Sequence, residues 1–362
     1  MVVLNILVVT RNRLVGLIDS LFSIKRLILL KTNVKIEVTI QDNSDDILSP
    51  LFLDYFKKYF VIRYFKTSQI LSMSENWDLG LKHALSSNPN FISILADRRL
   101  VTANLLNAVQ MIQHLDKPFI CFDHQDVWLN SRSLLVRSHK YNCQVISRTL
   151  LLQAIGSAQV DWHFPMLFNC IIKSEFLIEL KNKYHSFAEG SSPDMNFLAR
   201  IVDSDISSHC LYDAPCIITN ARHASTSNGS STLRVGTIHK TEHTLLSGIE
   251  VFPKYMDNFV TANILGSLSR YWDDAQVLKV IHPTNFFTNC LLELSYPKSH
   301  LAFLEMVESL KLFSRDFTLS PILIDSLRHV QHTSSELQRY PMDISSDVLN
   351  SPDLNLLSKI ER

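Results

Sequence analysis

The sequence predicts an α/β fold: a mostly parallel sheet flanked by helices, followed by a helical C-terminal region. Three observations predict it. Strand-length apolar runs and helix-period segments alternate through the first 125 residues, a pattern that implies parallel pairing and right-handed crossovers. Three of those strands run into polar or charged turns: Thr10-Arg11-Asn12-Arg13, Asp42-Asn43-Ser44-Asp45-Asp46 and Asp97-Arg98-Arg99. In an open α/β sheet, ligands bind at the carboxyl ends of the parallel strands. From about residue 240 the strand signals stop and helical periodicity takes over.

The elements follow in order. Strand 2–9 leads to a helix from about 13 to 30, with Leu14, Leu17, Ile18, Leu21 and Phe22 on one face. Strand 34–40, a helix near 48–58 and strand 60–65 come next. Ser74 is the expected N-cap of a helix over 75–87 that turns Trp77, Leu81, Ala84 and Leu85 inward. Strand 91–95, a helix from about 102 to 115 and a short strand 119–122 complete this part. In the middle, 140–146 reads as a strand and 147–155 as a short helix. Ser174 caps a helix to about Tyr184, and the loop 189–194 opens another with Pro193 near its first turn. Segment 211–219 reads as an edge strand, because Pro215 has no amide to donate. The polar stretch 224–232 is long enough to close over a ligand. Segments 245–260, 262–272, 285–294, 299–313 and 322–330 read as helices.

Composition bounds the partners. Lys+Arg 35 balances Asp+Glu 35, so no basic surface excess points to nucleic acid. The six cysteines are scattered without a CxxC pair, which predicts free thiols in a reducing compartment and no structural zinc. The apolar run 14–30 is broken by Asp19, Lys25 and Arg26. It is therefore an amphipathic helix and not a span of roughly 20 apolar residues. Arg11 and Arg13 follow the first apolar run where a secretory signal would have them precede it. These features predict a cytoplasmic protein, or one peripheral on the inner face of a membrane. Only 8 glycines argue against a glycine-rich phosphate loop.

Five places could carry chemistry. Thr10, Arg11, Asn12 and Arg13 could contact a base, ribose or diphosphate, or simply form a basic turn before the helix. Asp42, with Asn43 and Ser44, could accept from a ribose hydroxyl or a uracil N–H, or close an Asx turn. Asp97 could hold a divalent cation bridging two phosphates, and Arg98 and Arg99 could neutralise phosphate charge themselves; the alternative is a local ion pair. Asp194 opens a helix, where the dipole stabilises the anion, and could serve as a general base or a plain first-turn acid. His223 could ligate a metal or touch a diphosphate, or be structural. Trp162 and His163 beside Asp161 could shape an acceptor pocket or pack in a core.

The ordered pieces Asn5-Ile6-Leu7-Val8-Val9-Thr10-Arg11-Asn12-Arg13, Ile40-Gln41-Asp42-Asn43-Ser44, Glu75-Asn76-Trp77-Asp78-Leu79-Gly80-Leu81 and Ile94-Leu95-Ala96-Asp97 resemble the family 2 glycosyltransferases of the Rossmann-like GT-A fold. Gly80 and Ala84 keep that family's helix spacing, whereas Asn76 sits two residues early. The resemblance covers roughly residues 3–110 and extends more loosely to Asp194 and His223. It implies a transferase domain over 1–238, with a nucleotide-sugar half at 1–125 and an acceptor half at 126–238, and a helical region at 239–362. By the resemblance, Thr10, Arg11 and Asp42 hold the nucleoside, and Asn12, Arg13, Asn43, Ser44, Asn76, Arg98 and Arg99 line the donor site. Asp97 sits at the metal and diphosphate with His223 as a further ligand, the cation being Mn²⁺ or Mg²⁺, and Asp194 is the acid that deprotonates the acceptor. The family's Asp-x-Asp is reduced here to Ala96-Asp97-Arg98-Arg99. Either Asp97 alone anchors the cation, or the arginines replace it, or catalysis is lost.

The function this implies is transfer of a sugar, with inversion, from a nucleoside-diphosphate sugar to a glycan or lipid-linked acceptor in cell-surface polysaccharide synthesis. Two alternatives remain. One is a non-catalytic relative that binds a nucleotide sugar or glycan. The other is a sugar nucleotidyltransferase, disfavoured by the single glycine in residues 10–17. The helical region could shape the acceptor site, form a homodimer or touch the membrane.

Overall fold

A computed structural model of the chain describes residues 1–30, 32–96, 99–127, 143–157, 164–190, 193–220, 264, 267–268, 270–282 and 285. They fall into two compact units, 1–148 with 161–225, and 149–160 with 226–362. The first is an α/β unit. Its strands are β1 (Val2–Thr10), β2 (Val34–Asp42), β3 (Val61–Lys66), β4 (Phe91–Ala96), β5 (Arg99–Val101), β6 (Phe119–Val127), β7 (Cys143–Ser147), β8 (Cys170–Lys173) and β9 (Ser208–Asn220). Its helices are α1 (Leu14–Ile28), α2 (Pro50–Lys57), α3 (Met73–Leu85), α4 (Asn104–His114), α6 (Ser174–Tyr184) and α7 (Pro193–Asp203); α5 (Arg148–Gly156) leads out of it.

The described strands form one nine-stranded sheet in the order β3-β2-β1-β4-β8-β6-β9-β5, with β7 also on β9. The stretch β3-β2-β1-β4 is wholly parallel, as the alternation implied. Beyond β4 the sheet is mixed, since β8 runs antiparallel to both β4 and β6 while β6 and β9 are parallel. The mostly parallel expectation thus describes the N-terminal half. Helix periodicity cannot reveal that β8 returns between two earlier strands.

Alternation along the strands sorts the core into two faces. Leu4, Ile6 and Val8 of β1 and Ile36, Val38 and Ile40 of β2 share one cluster with Leu17, Leu21, Ile24 and Leu27 of α1 and Leu105, Val109 and Ile112 of α4. The buried stripe of α1 is therefore turned from the expected one, with Leu14 and Phe22 exposed. The reason is β5, the last strand of the sheet order. Its Arg99 carbonyl accepts from Ser20 Oγ at 2.8 Å and its Val101 amide donates to Ser23 Oγ at 3.0 Å. The serine side of α1 must lie against that strand to satisfy groups an edge leaves open.

On the other face α3 lies close to β1 and β2. A Cβ on Gly80 would stand 3.1 Å from both Gln41 Cβ and Leu7 Cδ1, two side chains rooted in the sheet. Gly80→Val should therefore cost on the order of 1–3 kcal/mol through overpacking, read as a lower urea midpoint at unchanged slope. The N-cap of α3 is Ser72 and not Ser74. Ser72 accepts from the Glu75 amide and the Glu75 carboxylate accepts from the Ser72 amide, a reciprocal capping box. Ser74 instead lies in the first turn and donates to the Gly190 carbonyl.

The strand β9 is internal to the sheet, not an edge. The structure accommodates Pro215 by a bulge: Phe122 faces Tyr212 but His124 faces Ile217, so four residues of β9 oppose one of β6. A proline needs no ladder partner there, and its carbonyl accepts from Thr102 Oγ1 at 2.6 Å. In the second unit, α8 (Asp274–Val280) lies next to α5, and the His282 amide donates to the Gly156 carbonyl at 2.7 Å. Residues 264, 267 and 268 are helical. The other expected C-terminal helices, the 224–232 loop and Cys290 lie outside the described residues. The five described cysteines are free, and four of them are buried. Among the described residues no helix is long and apolar enough to cross a membrane.

Candidate active site

The carboxyl ends of β1 and β2 are clasped together. Thr10 is buried and its carbonyl accepts from the Asn43 amide at 3.0 Å. Asn12 takes a left-handed conformation, φ 56, which asparagine tolerates better than most residues. That conformation lets its amide donate to Ser44 Oγ at 2.8 Å while its side chain exchanges hydrogen bonds with Asp45. Arg11 and Arg13, both half-buried, flank it and lie at the same strand end.

Asp42 is fully buried. One carboxylate oxygen accepts from the Ser44 amide at 2.9 Å and the other from the Tyr64 hydroxyl at 2.8 Å. Burial, reinforced by Asp42 itself, pushes the Tyr64 phenol up to about 12, so it stays a donor. The Asn43 side chain is committed to the loop that enters α3: its amide donates to the Leu71 carbonyl and its oxygen accepts from the Leu71 amide and Thr67 Oγ1. Asn43 thus shapes the site through the backbone. Asn76 is buried on α3, with no partner for Oδ1 among the described residues.

A second cluster is built around Asp194 and Arg99. Arg99 opens β5, buried, with its guanidinium carbon 3.6 Å from the centre of the Phe168 ring. That ring belongs to a short 3-10 turn, Leu167–Asn169, packed against β4 and α7. Asp194 occupies the first turn of α7, and its Oδ1 is buried without a partner among the described residues. Burial pushes the Asp194 carboxyl up to about 6, against the opposing pull of the Arg99 charge. A carboxylate so placed is mostly ionised at neutral pH yet more basic than a solvated one, the tuning a general base requires.

The loop leading to Asp194 is held from two sides. Arg200 of α7 is fully buried. It donates to the Ser186 carbonyl and Ser186 Oγ, pairs with Glu189, and lies 4.9 Å over the Tyr184 ring. From α3, Asp78 Oδ1 accepts from the Phe187 and Ala188 amides at 2.5 and 3.3 Å, beside the Ser74 contact to Gly190. Helix α3 thereby anchors the segment that leads to Asp194. The sequence points to neither Phe168 nor Arg200, and offers Glu189 only as the start of the loop 189–194 and Asp78 only as part of a helix motif; a buried arginine carries no local signal.

Asp97, Arg98 and His223, like Trp162 and His163, lie outside the described residues. Among the described residues no group of three or more His, Cys, Asp or Glu side chains could hold a metal. Arg99 is a described cation whose charge acts on Asp194.

The fold and site define an α/β protein with charged groups gathered at the ends of parallel strands. No family model and no curated protein matches the sequence. Solved structures similar to it include S. aureus TarS 1–349, at 11% identity and a TM-score of 0.48 over 88% of this chain and 91% of that one. The same fragment in complex with UDP-GlcNAc gives 12% identity and 0.48 over 88% and 92%. In complex with UDP it gives 13% and 0.45 over 95% and 94%. The chain's own residues, not these likenesses, carry its chemistry.

Proposed function

We propose that the protein is an inverting glycosyltransferase that moves a sugar from a nucleoside-diphosphate donor to a glycan or lipid-linked acceptor in cell-surface polysaccharide synthesis. The observation that carries this is Asp194: a buried carboxyl raised to about 6 and within reach of the Arg99 charge. The turns that close β1 and β2 supply groups suited to a nucleotide. The motif resemblance around Thr10, Asp42 and Gly80 supports it.

In this reading the acceptor oxygen attacks the anomeric carbon in line with the leaving group. The oxygen–carbon bond forms, the carbon–diphosphate oxygen bond breaks with its electron pair going to the diphosphate, and the acceptor proton passes to Asp194. Arg99 supplies fixed positive charge where negative charge develops. Asp97 and His223 would hold a divalent cation, which supplies further charge to the diphosphate. Arg11, Arg13 and the Asn12–Ser44–Asp45 clasp border the nucleoside.

The test is a thermal-shift panel of UDP, GDP, CDP, CMP and dTDP and their sugars, each with Mn²⁺ and with EDTA. A ligand that binds the folded chain raises the midpoint, and one base is expected to do so. Loss of the shift in EDTA supports the cation at Asp97; a shift that survives EDTA moves its role to Arg98 and Arg99. No shift with any nucleotide overturns the proposal, and binding without transfer to any acceptor makes the chain a nucleotide-sugar-binding relative.

A further inference from the structure

The outer faces of α1 and α2 form one surface that the chemistry above does not use. On α1 and its C-terminal cap, Phe22, Arg26, Leu29 and Leu30 follow helical spacing away from the core stripe, and Leu29 is 68% exposed. On α2, Leu51, Tyr55, Lys58 and Tyr59 do the same, opposite the buried Leu53 and Phe56, and Leu51 is 81% exposed. The two stripes meet. Phe22 and Tyr55 ring centres are 6.0 Å apart, and those of Tyr55 and Tyr59 are 5.7 Å apart. Lys25 Nζ donates to the Tyr55 hydroxyl at 2.9 Å and stands 3.8 Å over the Tyr59 ring.

Single exposed leucines need no explanation. A continuous stripe of leucines and tyrosines interleaved with Lys25, Arg26, Lys57 and Lys58 does, with Asp54 already offset by Lys57 at 2.9 Å. Amphipathic tyrosines, leucines able to enter the acyl boundary and cations at headgroup level are the composition of an interfacial surface.

We propose that this α1–α2 face docks the protein on an anionic lipid bilayer. The charge complementarity is direct: the cations meet anionic headgroups while Leu51 and Leu29 insert. The proposal is independent of the transferase reading.

The experiment is flotation of the full chain with phosphatidylcholine vesicles and with vesicles containing phosphatidylglycerol. Binding to the anionic vesicles alone, weakened by salt, is expected. In a variant carrying Leu29→Ser, Leu51→Ser, Arg26→Ser and Lys58→Ser, all at exposed positions, the partition coefficient should drop. The expected loss is about fivefold for each charge removed, and more for the leucines. An unchanged thermal midpoint and an unchanged nucleotide shift verify the fold of that variant. No flotation on anionic vesicles overturns the proposal, as does equal flotation on both vesicle types. Flotation that survives the four substitutions overturns it too.

Discussion

Asp194→Asn should lower kcat by about 10²- to 10⁴-fold, the contribution of a positioned general base, while the nucleotide-induced thermal shift stays in place. The parent's rate should fall as pH drops through about 6, because burial raises the Asp194 carboxyl to that value and the base must be ionised. The variant's residual rate should lack that limb. A rate that does not fall in the variant removes Asp194 from the chemistry.

The same shift has a stability consequence of definite sign. The folded chain binds the Asp194 proton more tightly than the unfolded chain, whose carboxyl titrates near the ordinary aspartate value of about 3.9. The stabilisation from protonation is therefore full below that value and is lost as pH rises through about 6. Asparagine, neutral throughout, should make the fold more stable than the parent above pH 6, and the difference should shrink as pH falls through the window. Thermal midpoints measured across that range check it.

Arg200→Ala should cost about 2–5 kcal/mol, the range for truncating a large buried side chain and leaving a cavity; Glu189 is a third exposed, so water can take up its carboxylate. The arginine is fully buried, and its loss removes the bonds to the Ser186 carbonyl and hydroxyl and opens a space against Tyr184. That is a large fraction of the roughly 5–15 kcal/mol holding a typical domain together. Arg200→Lys should recover little, because a single ammonium cannot match the planar fork that reaches the carbonyl, hydroxyl and carboxylate together. Urea unfolding measures both; a loss under about 1 kcal/mol for the alanine variant would show that the clasp is not a stability element.

The chain's local patterns foretold much of this molecule. The apolar strand 2–9, the amphipathic helices after it and the polar turns at 10–13 and 42–46 are visible because each depends on neighbours within one helical turn or one pleat. Gly80 is marked by the motif resemblance, as a spacing in α3, and Asp194 as an acid just after a proline. Ser72 and Ser74 both present a hydroxyl ahead of the same helix, so the sequence alone does not choose between them and the chain's entry angle decides that Ser72 caps.

What only the tertiary structure decided is where those pieces meet. The insertion of β8 between β4 and β6, the bulge that carries Pro215 inside the sheet, and the serine side of α1 turned toward β5 all depend on pairing between segments distant in sequence. The same holds for Asp78 reaching Phe187 and for Arg200 reaching Glu189. Even the raised Asp194 carboxyl is a property of its surroundings, set by burial and by Arg99 from the far side of the sequence. Periodicity reports which face of an element is apolar, but register, burial of charge and pKa are fixed by partners that local sequence does not name.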